Sequence, residues 1–191
     1  MSKQPPPQEV HWREEAIFTV GHSTLPIENF VALLHTYGIA CLSDIRTVPR
    51  SRANPQYNAE ALTTSLATEG VRYVHLAQLG GLRGRRKDLP TGVSPNDGWE
   101  NASFRNYADY ALTPPFRDGL DVLLALADAP TAIMCAEAVW WRCHRRIVAD
   151  YLVVRGVPMD DLVPPAPPQP HQLTAFARPQ PDGTIYYPPS G

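Results

Sequence analysis

The chain is predicted to be an α/β protein, a mainly parallel sheet flanked by helices, forming a single domain with a proline-rich C-terminal extension. Three observations predict it. Short apolar runs recur at Ala16–Val20, Ile39–Ile45, Val71–Leu76 and Thr131–Met134, as strands buried on both faces require. Segments with apolar residues at helical spacing lie between them, and Gly38 and Gly70 stop two of these helices just before the next strand. Hydrophobic residues make up 43% of 191 residues, enough for one core of this kind.

Taken in order, Met1–Glu15 is polar, carries Pro5, Pro6 and Pro7 in a row, and is expected to be a flexible arm. The domain proper is expected over 16–162. Its first strand, Ala16–Val20, ends in Gly21, His22, Ser23 and Thr24. Pro26 suits the first turn of a helix, whose buried stripe is Ile27, Phe30, Val31 and Leu34. The second strand, Ile39–Ile45, delivers Asp44 and Arg46, followed by a loop holding Arg50 and Arg52. Asn58 is placed to cap a helix with Leu62 and Leu66 inward, and Val71–Leu76 is the third strand. Ala77–Trp99 is a long loop containing Gly80, Gly81 and the basic run Arg83–Lys87, and loops of this length commonly carry function. Helices follow at Ser103–Leu112 and Phe116–Ala127, separated by Pro114 and Pro115.

Thr131–Asp150 reads as strand, turn and helix, with the helix running Cys143–Arg155 to the stop at Gly156. Val157–Leu162 is a last short strand. From 163 to 191 prolines dominate, and Asp182-Gly183 marks a short hairpin expected to dock on the body. A βαβαβ order, then two helices, then βα, implies right-handed crossovers.

Composition favours no polyanionic partner. A formal net charge of −2 provides no global field for nucleic acid or an anionic membrane, and no apolar run is long enough to span a bilayer. The three cysteines, Cys41, Cys135 and Cys143, make no disulfide framework, and no apolar signal core opens the chain, so a cytoplasmic location is expected. Of 17 basic residues all but Lys3 and Lys87 are arginine, which suits bidentate anion recognition and equally suits a compositional bias.

Parallel strands bring their carboxyl ends to one edge, where open α/β sheets hold ligands. The expected site therefore draws on four segments. His22, Asp44, Glu137, Cys143 and His144 are the candidate catalytic groups; carboxylates serve as bases and histidines move protons near neutral pH. Ser23, Arg46, Arg52, Gly80, Gly81 and Arg145 are the candidate substrate-binding groups, the arginines as forks for phosphate beside a helix amino terminus. Structural ion pairs between these arginines and Asp44 or Glu137 are the competing account. Cys143 and His144 would point about 100° apart on a helix, so this histidine is poorly placed to activate this thiol. Cys135 reads as a small buried residue at a strand end. No cofactor is expected, and the paired spacings of strong metal motifs are absent, although His22, Glu137, Cys143 and His144 together form an alternative metal set. Trp140 and Trp141 offer stacking faces or packing under the tail.

The segments TVGHST at Thr19–Thr24, SDIRTVPRSR at Ser43–Arg52, LGGLR at Leu79–Arg83 and CAEAVWWRCHRRIVADYL at Cys135–Leu152 together resemble the domain-of-unknown-function family numbered 488, over about Ala16 to Leu162. The resemblance implies a compact α/β domain with a polar cleft, in proteins of bacterial type, and brings no reaction with it. The expected function is an enzyme of hydrolytic type acting on a phosphate-bearing substrate, a small phosphate or nucleotide, with nucleic acid also admitted and no membrane partner. The alternatives are a non-catalytic nucleotide or nucleic-acid binding module, and a thiol or metal site centred on Cys143. Oligomeric state is not set by the sequence.

Overall fold

The structure is a computed structural model that describes residues 16–88 and 94–189; the arm expected at 1–15 lies outside the described residues. Strands β1 (Ile17–Gly21), β2 (Cys41–Asp44), β3 (Arg72–His75), β4 (Thr131–Cys135), β5 (Met159–Leu162) and β6 (Gln169–Pro170) form one sheet in the order β3-β2-β4-β1-β5-β6. The first five run parallel and β6 is antiparallel to β5. Helices α1 (Ile27–Thr36), α2 (Ala59–Thr68), α3 (Ala102–Ala111), α4 (Pro114–Leu126) and α5 (Arg145–Val154) complete the α/β architecture. Among the described residues no helix is long and apolar enough to cross a membrane.

Side chains alternate across the pleat, so each central strand feeds two cores. Phe18, Val20, Leu42, Ala132 and Met134 pack with Phe30 and Leu34 of α1 and Leu62 and Leu66 of α2. Ile17, Ile133 and Met159 face the other way, against Phe116, Leu120 and Leu123 of α4 and Ile147, Val148 and Leu152 of α5. Each fully buried side chain of this size contributes roughly 1.5–3 kcal/mol from its removal from water.

Two boundaries differ from the sequence expectation. The two helices are separate as expected, but Pro114 and Pro115 belong to the second as its first residues, where a missing N–H costs nothing. Helix α5 begins at Arg145 rather than Cys143, because Trp140–Arg142 forms a short 3-10 turn and Cys143 follows it in extended conformation (φ −129°, ψ 149°).

The C-terminal stretch holds a second, two-stranded ladder, β7 (Arg178–Pro179) with β8 (Ile185–Tyr186). Ala177, Ile185 and Tyr187 enter the core shared with α4 and α5. The buried Asp150 of α5 accepts from the Thr174 N–H (3.0 Å) and the Tyr187 hydroxyl (2.9 Å), which ties this stretch to the body.

Registration at the carboxyl ends decides where the site forms. Gly21 stands opposite Cys135 and Asp44 opposite Met134. The β1–β4 pairing continues past the strands, with the His22 N–H bonded to the Cys135 carbonyl (3.1 Å) and the Ser23 N–H to the Ala136 carbonyl (2.9 Å). A Cβ on Gly21 would fall 1.8 Å from the Glu137 carbonyl oxygen, so only glycine lets these two backbones approach so closely.

Candidate functional site

A cleft of about 870 Å³ opens at the carboxyl ends of β1, β2 and β4. That volume lies within the range of small-molecule pockets. Residues after β1 (His22, Ser23), after β2 (Arg46, Arg50), after β3 (Gly81) and after β4 (Glu137, Arg142) line it. Ser23 adopts a positive φ of 46°, a left-handed conformation uncommon for a residue with a side chain.

Cys135, Cys143 and His144 also line the cleft, and their sulfurs and one imidazole nitrogen lie within 4.8 Å of one another. His144 Nε2 donates to the Ile45 carbonyl (2.9 Å). In the neutral ring that leaves the Nδ1 lone pair facing the two thiols, 3.5 Å from Cys143 Sγ and 3.9 Å from Cys135 Sγ. Cys143 precedes the helix in extended backbone, so its side chain and that of His144 do not diverge as adjacent helical residues would. The Cys143 thiol holds Cys135 well below the ordinary thiol range, outweighing burial, with His144 and the Arg145 charge acting in the same direction. Burial pushes the Cys143 thiol well up, and the neighbouring Cys135 adds to this. Cys135 is the small buried residue expected at a strand end, and it also faces Cys143 and His144. Its partners arrive only when the loop after β4 folds back, and the one sequence signal was a Cys at a strand end with a Cys-His pair on the following turn.

Beside this floor lies a buried polar chain. The Asp44 carboxylate is fully buried and accepts from Arg46 Nε (2.9 Å), Arg46 Nη2 (2.6 Å), the Arg46 N–H (3.0 Å) and the Tyr73 hydroxyl (2.8 Å). It anchors Arg46 and is not among the residues that line the cleft. Arg46 in turn donates through Nη1 to His22 Nε2 (3.3 Å) and through Nη2 to the Tyr57 carbonyl (2.8 Å). The other ring nitrogen of His22 donates to the Ser23 carbonyl (2.8 Å), and the ring stacks on Tyr57 at 3.9 Å. Burial lowers the His22 pKa and the Arg46 charge assists, so this imidazole is neutral at neutral pH.

The expected arginine clamp is redistributed. Arg145 is fully buried and turns to the carbonyls of Glu137 (2.7 Å) and Ala138 (3.4 Å), so it shapes the loop after β4 from beneath. Arg52 is exposed and outside the cleft lining. Gly80 is buried against Thr47, which leaves room for no side chain and places it behind the wall. The arginines that face the cleft without a side-chain partner among the described residues are Arg50 and Arg142, neither of which was singled out for anion binding. Glu137 is exposed on the cleft wall, its carboxylate unpaired among the described residues. The basic run after β3 is largely engaged: Arg83 bonds the Ala77, Gln78 and Gly80 carbonyls and lies over the Tyr110 ring, and Arg86 pairs with Asp88. Trp140 packs edge-on to His171, and Trp141 is 47% exposed.

No curated protein and no solved structure matches the chain significantly. A family model does match, over residues 26–152, and this span carries α1 through most of α5 and every cleft segment after β2, β3 and β4. The chain belongs to the family described as domain of unknown function DUF488.

Proposed function

We propose that the protein is an enzyme of hydrolytic type acting on a phosphate-bearing small molecule such as a nucleotide. The observation that carries this reading is the meeting, in one cleft, of two guanidinium groups from different loops, Arg50 and Arg142, with the carboxylate of Glu137, all three without a side-chain partner among the described residues. Two planar cations on separate loops suit a phosphate approached from two directions. Glu137 is the general base for water, and His22, its ring nitrogens engaged by the Ser23 carbonyl and Arg46, lines the cleft as a neutral polar group.

Turnover of a nucleotide and phosphoester panel tests the reading. Arg50→Ala and Arg142→Ala are expected to raise KM, and Glu137→Gln to lower kcat at least a hundredfold without changing Tm, general-base catalysis being worth about that much or more. Absence of turnover across the panel, together with no greater thermal stabilisation by phosphate than by chloride at equal ionic strength, overturns it.

A further inference from the structure

The floor of the cleft contains more than the proposed hydrolytic reading uses. Its donor atoms are two sulfurs and one imidazole nitrogen, a set that selects soft, thiophilic cations over magnesium or calcium. A tetrahedral site with Zn–S of about 2.3 Å and Zn–N of about 2.1 Å has S···N edges of roughly 3.6 Å. The two S···N separations here are 3.5 and 3.9 Å before any ion draws them together.

The surroundings are those of a ligand set held in place. The His144 ring is oriented by its Nε2 hydrogen bond to the Ile45 carbonyl, the device that sets tautomer and direction in metal-bound histidines. The Arg145 N–H points at Cys143 Sγ from 3.5 Å, a contact that favours an anionic sulfur. Gly81 covers the imidazole. A Cβ there would stand 2.3 Å from Nδ1 and almost equally far, 2.7 and 2.8 Å, from the ring carbons bonded to it. That position is over the ring face, so the direction of the lone pair stays open. Three protein ligands with a fourth side facing a cleft is the pattern of reactive sites; structural sites close with a fourth residue.

We propose that Cys135 Sγ, Cys143 Sγ and His144 Nδ1 hold a divalent cation of the zinc class, leaving one coordination position open to the cleft. Ligation takes both sulfurs as thiolates, and any proton they carry passes to solvent, so affinity falls as pH falls. The proposal does not rest on the phosphate-substrate reading. A protein that binds the ion and turns over no phosphoester retains this site and loses that function.

The test uses the full chain, purified without a metal-affinity tag, stripped with chelator under reducing conditions and titrated with zinc(II) and with cobalt(II). One ion per chain is expected. Cobalt should give an intense thiolate-to-metal charge-transfer band scaling to two thiolates, with the visible bands of a tetrahedral ion. Cys135→Ser, Cys143→Ser and His144→Ala should each weaken binding at least tenfold, and Cys41→Ser, which alters a cysteine at the other end of β2, should not. Gly81→Ala should weaken binding by displacing the ring. The wild-type cobalt spectrum is decisive even if a variant misfolds. No stoichiometric ion, a band lacking thiolate character, or a Cys135–Cys143 disulfide in protein purified anaerobically overturns the proposal.

Discussion

Nε2 of His171 lies 3.2 Å from a carboxylate oxygen of Asp150, and both side chains are wholly buried. The other ring nitrogen is 2.8 Å from Asp161, which also accepts from Thr19 (2.8 Å). Burial alone would lower the His171 pKa, but the hydrogen bonds to Asp150 and Asp161 outweigh it and push it up to about 9, from an ordinary value of 6.5. The folded state therefore binds this proton more tightly than the unfolded chain. Its contribution, of order 3 kcal/mol, is fully present below pH 6.5 and is lost as pH rises through about 9. Denaturant melts from pH 6.5 to 9.5 should show this loss. His171→Ala should flatten the profile and lower stability throughout, since it strands two buried carboxylates.

On the acid side His22 acts with the opposite sign. Its folded pKa is depressed by burial, so the unfolded chain takes up a proton near pH 6.5 that the folded chain refuses. Stability should fall as pH drops below 6.5, and His22→Gln should reduce the slope there. An unchanged acid slope in that variant would show that other groups govern it.

Two arginines with the same sequence credentials should behave differently. Arg145→Ala removes a fully buried side chain and the donor to the Glu137 carbonyl, and is expected to cost about 2–4 kcal/mol. Arg52→Ala alters an exposed side chain and should stay within about 0.5 kcal/mol of the parent. Chemical denaturation of both variants checks the contrast.

Gly21→Ala should be among the more damaging single-atom additions. The new Cβ would meet backbone, the Glu137 carbonyl oxygen at 1.8 Å and carbon at 2.7 Å, which cannot rotate away. A loss of about 1–3 kcal/mol or more is expected, with weaker phosphate binding because the loop bearing Glu137 and Arg142 is pushed off β1. Full retention of both properties would mean that the loop moves freely.

Much of this architecture was legible in the chain. Thr131–Met134 and Ala16–Val20 announce central strands because parallel strands buried on both faces must be apolar without interruption, and both lie within a residue of the observed bounds. The convergence of His22, Glu137, Cys143 and His144 at one edge follows from parallel topology alone. What was hidden depended on tertiary contacts. Whether Arg46 or Arg50 is free turns on where Asp44 points, and composition cannot say. That Cys143 and His144 approach Cys135 was hidden because they lie beyond a turn whose backbone shape, extended at Cys143, has no marker in the residues themselves.

The sheet order has a consequence for how the molecule comes into being. Strand β4 lies between β1 and β2, although β1 and β2 come first in the chain and are joined by α1. A growing polypeptide that has not yet supplied residues 131–135 cannot pair its two earliest central strands with their final neighbour, and leaves those hydrogen-bonding edges open. Closing such non-local pairings is slow relative to local helix formation. The cleft is therefore a late property of synthesis, arising when a single inserted strand joins the halves and brings the thiols to them.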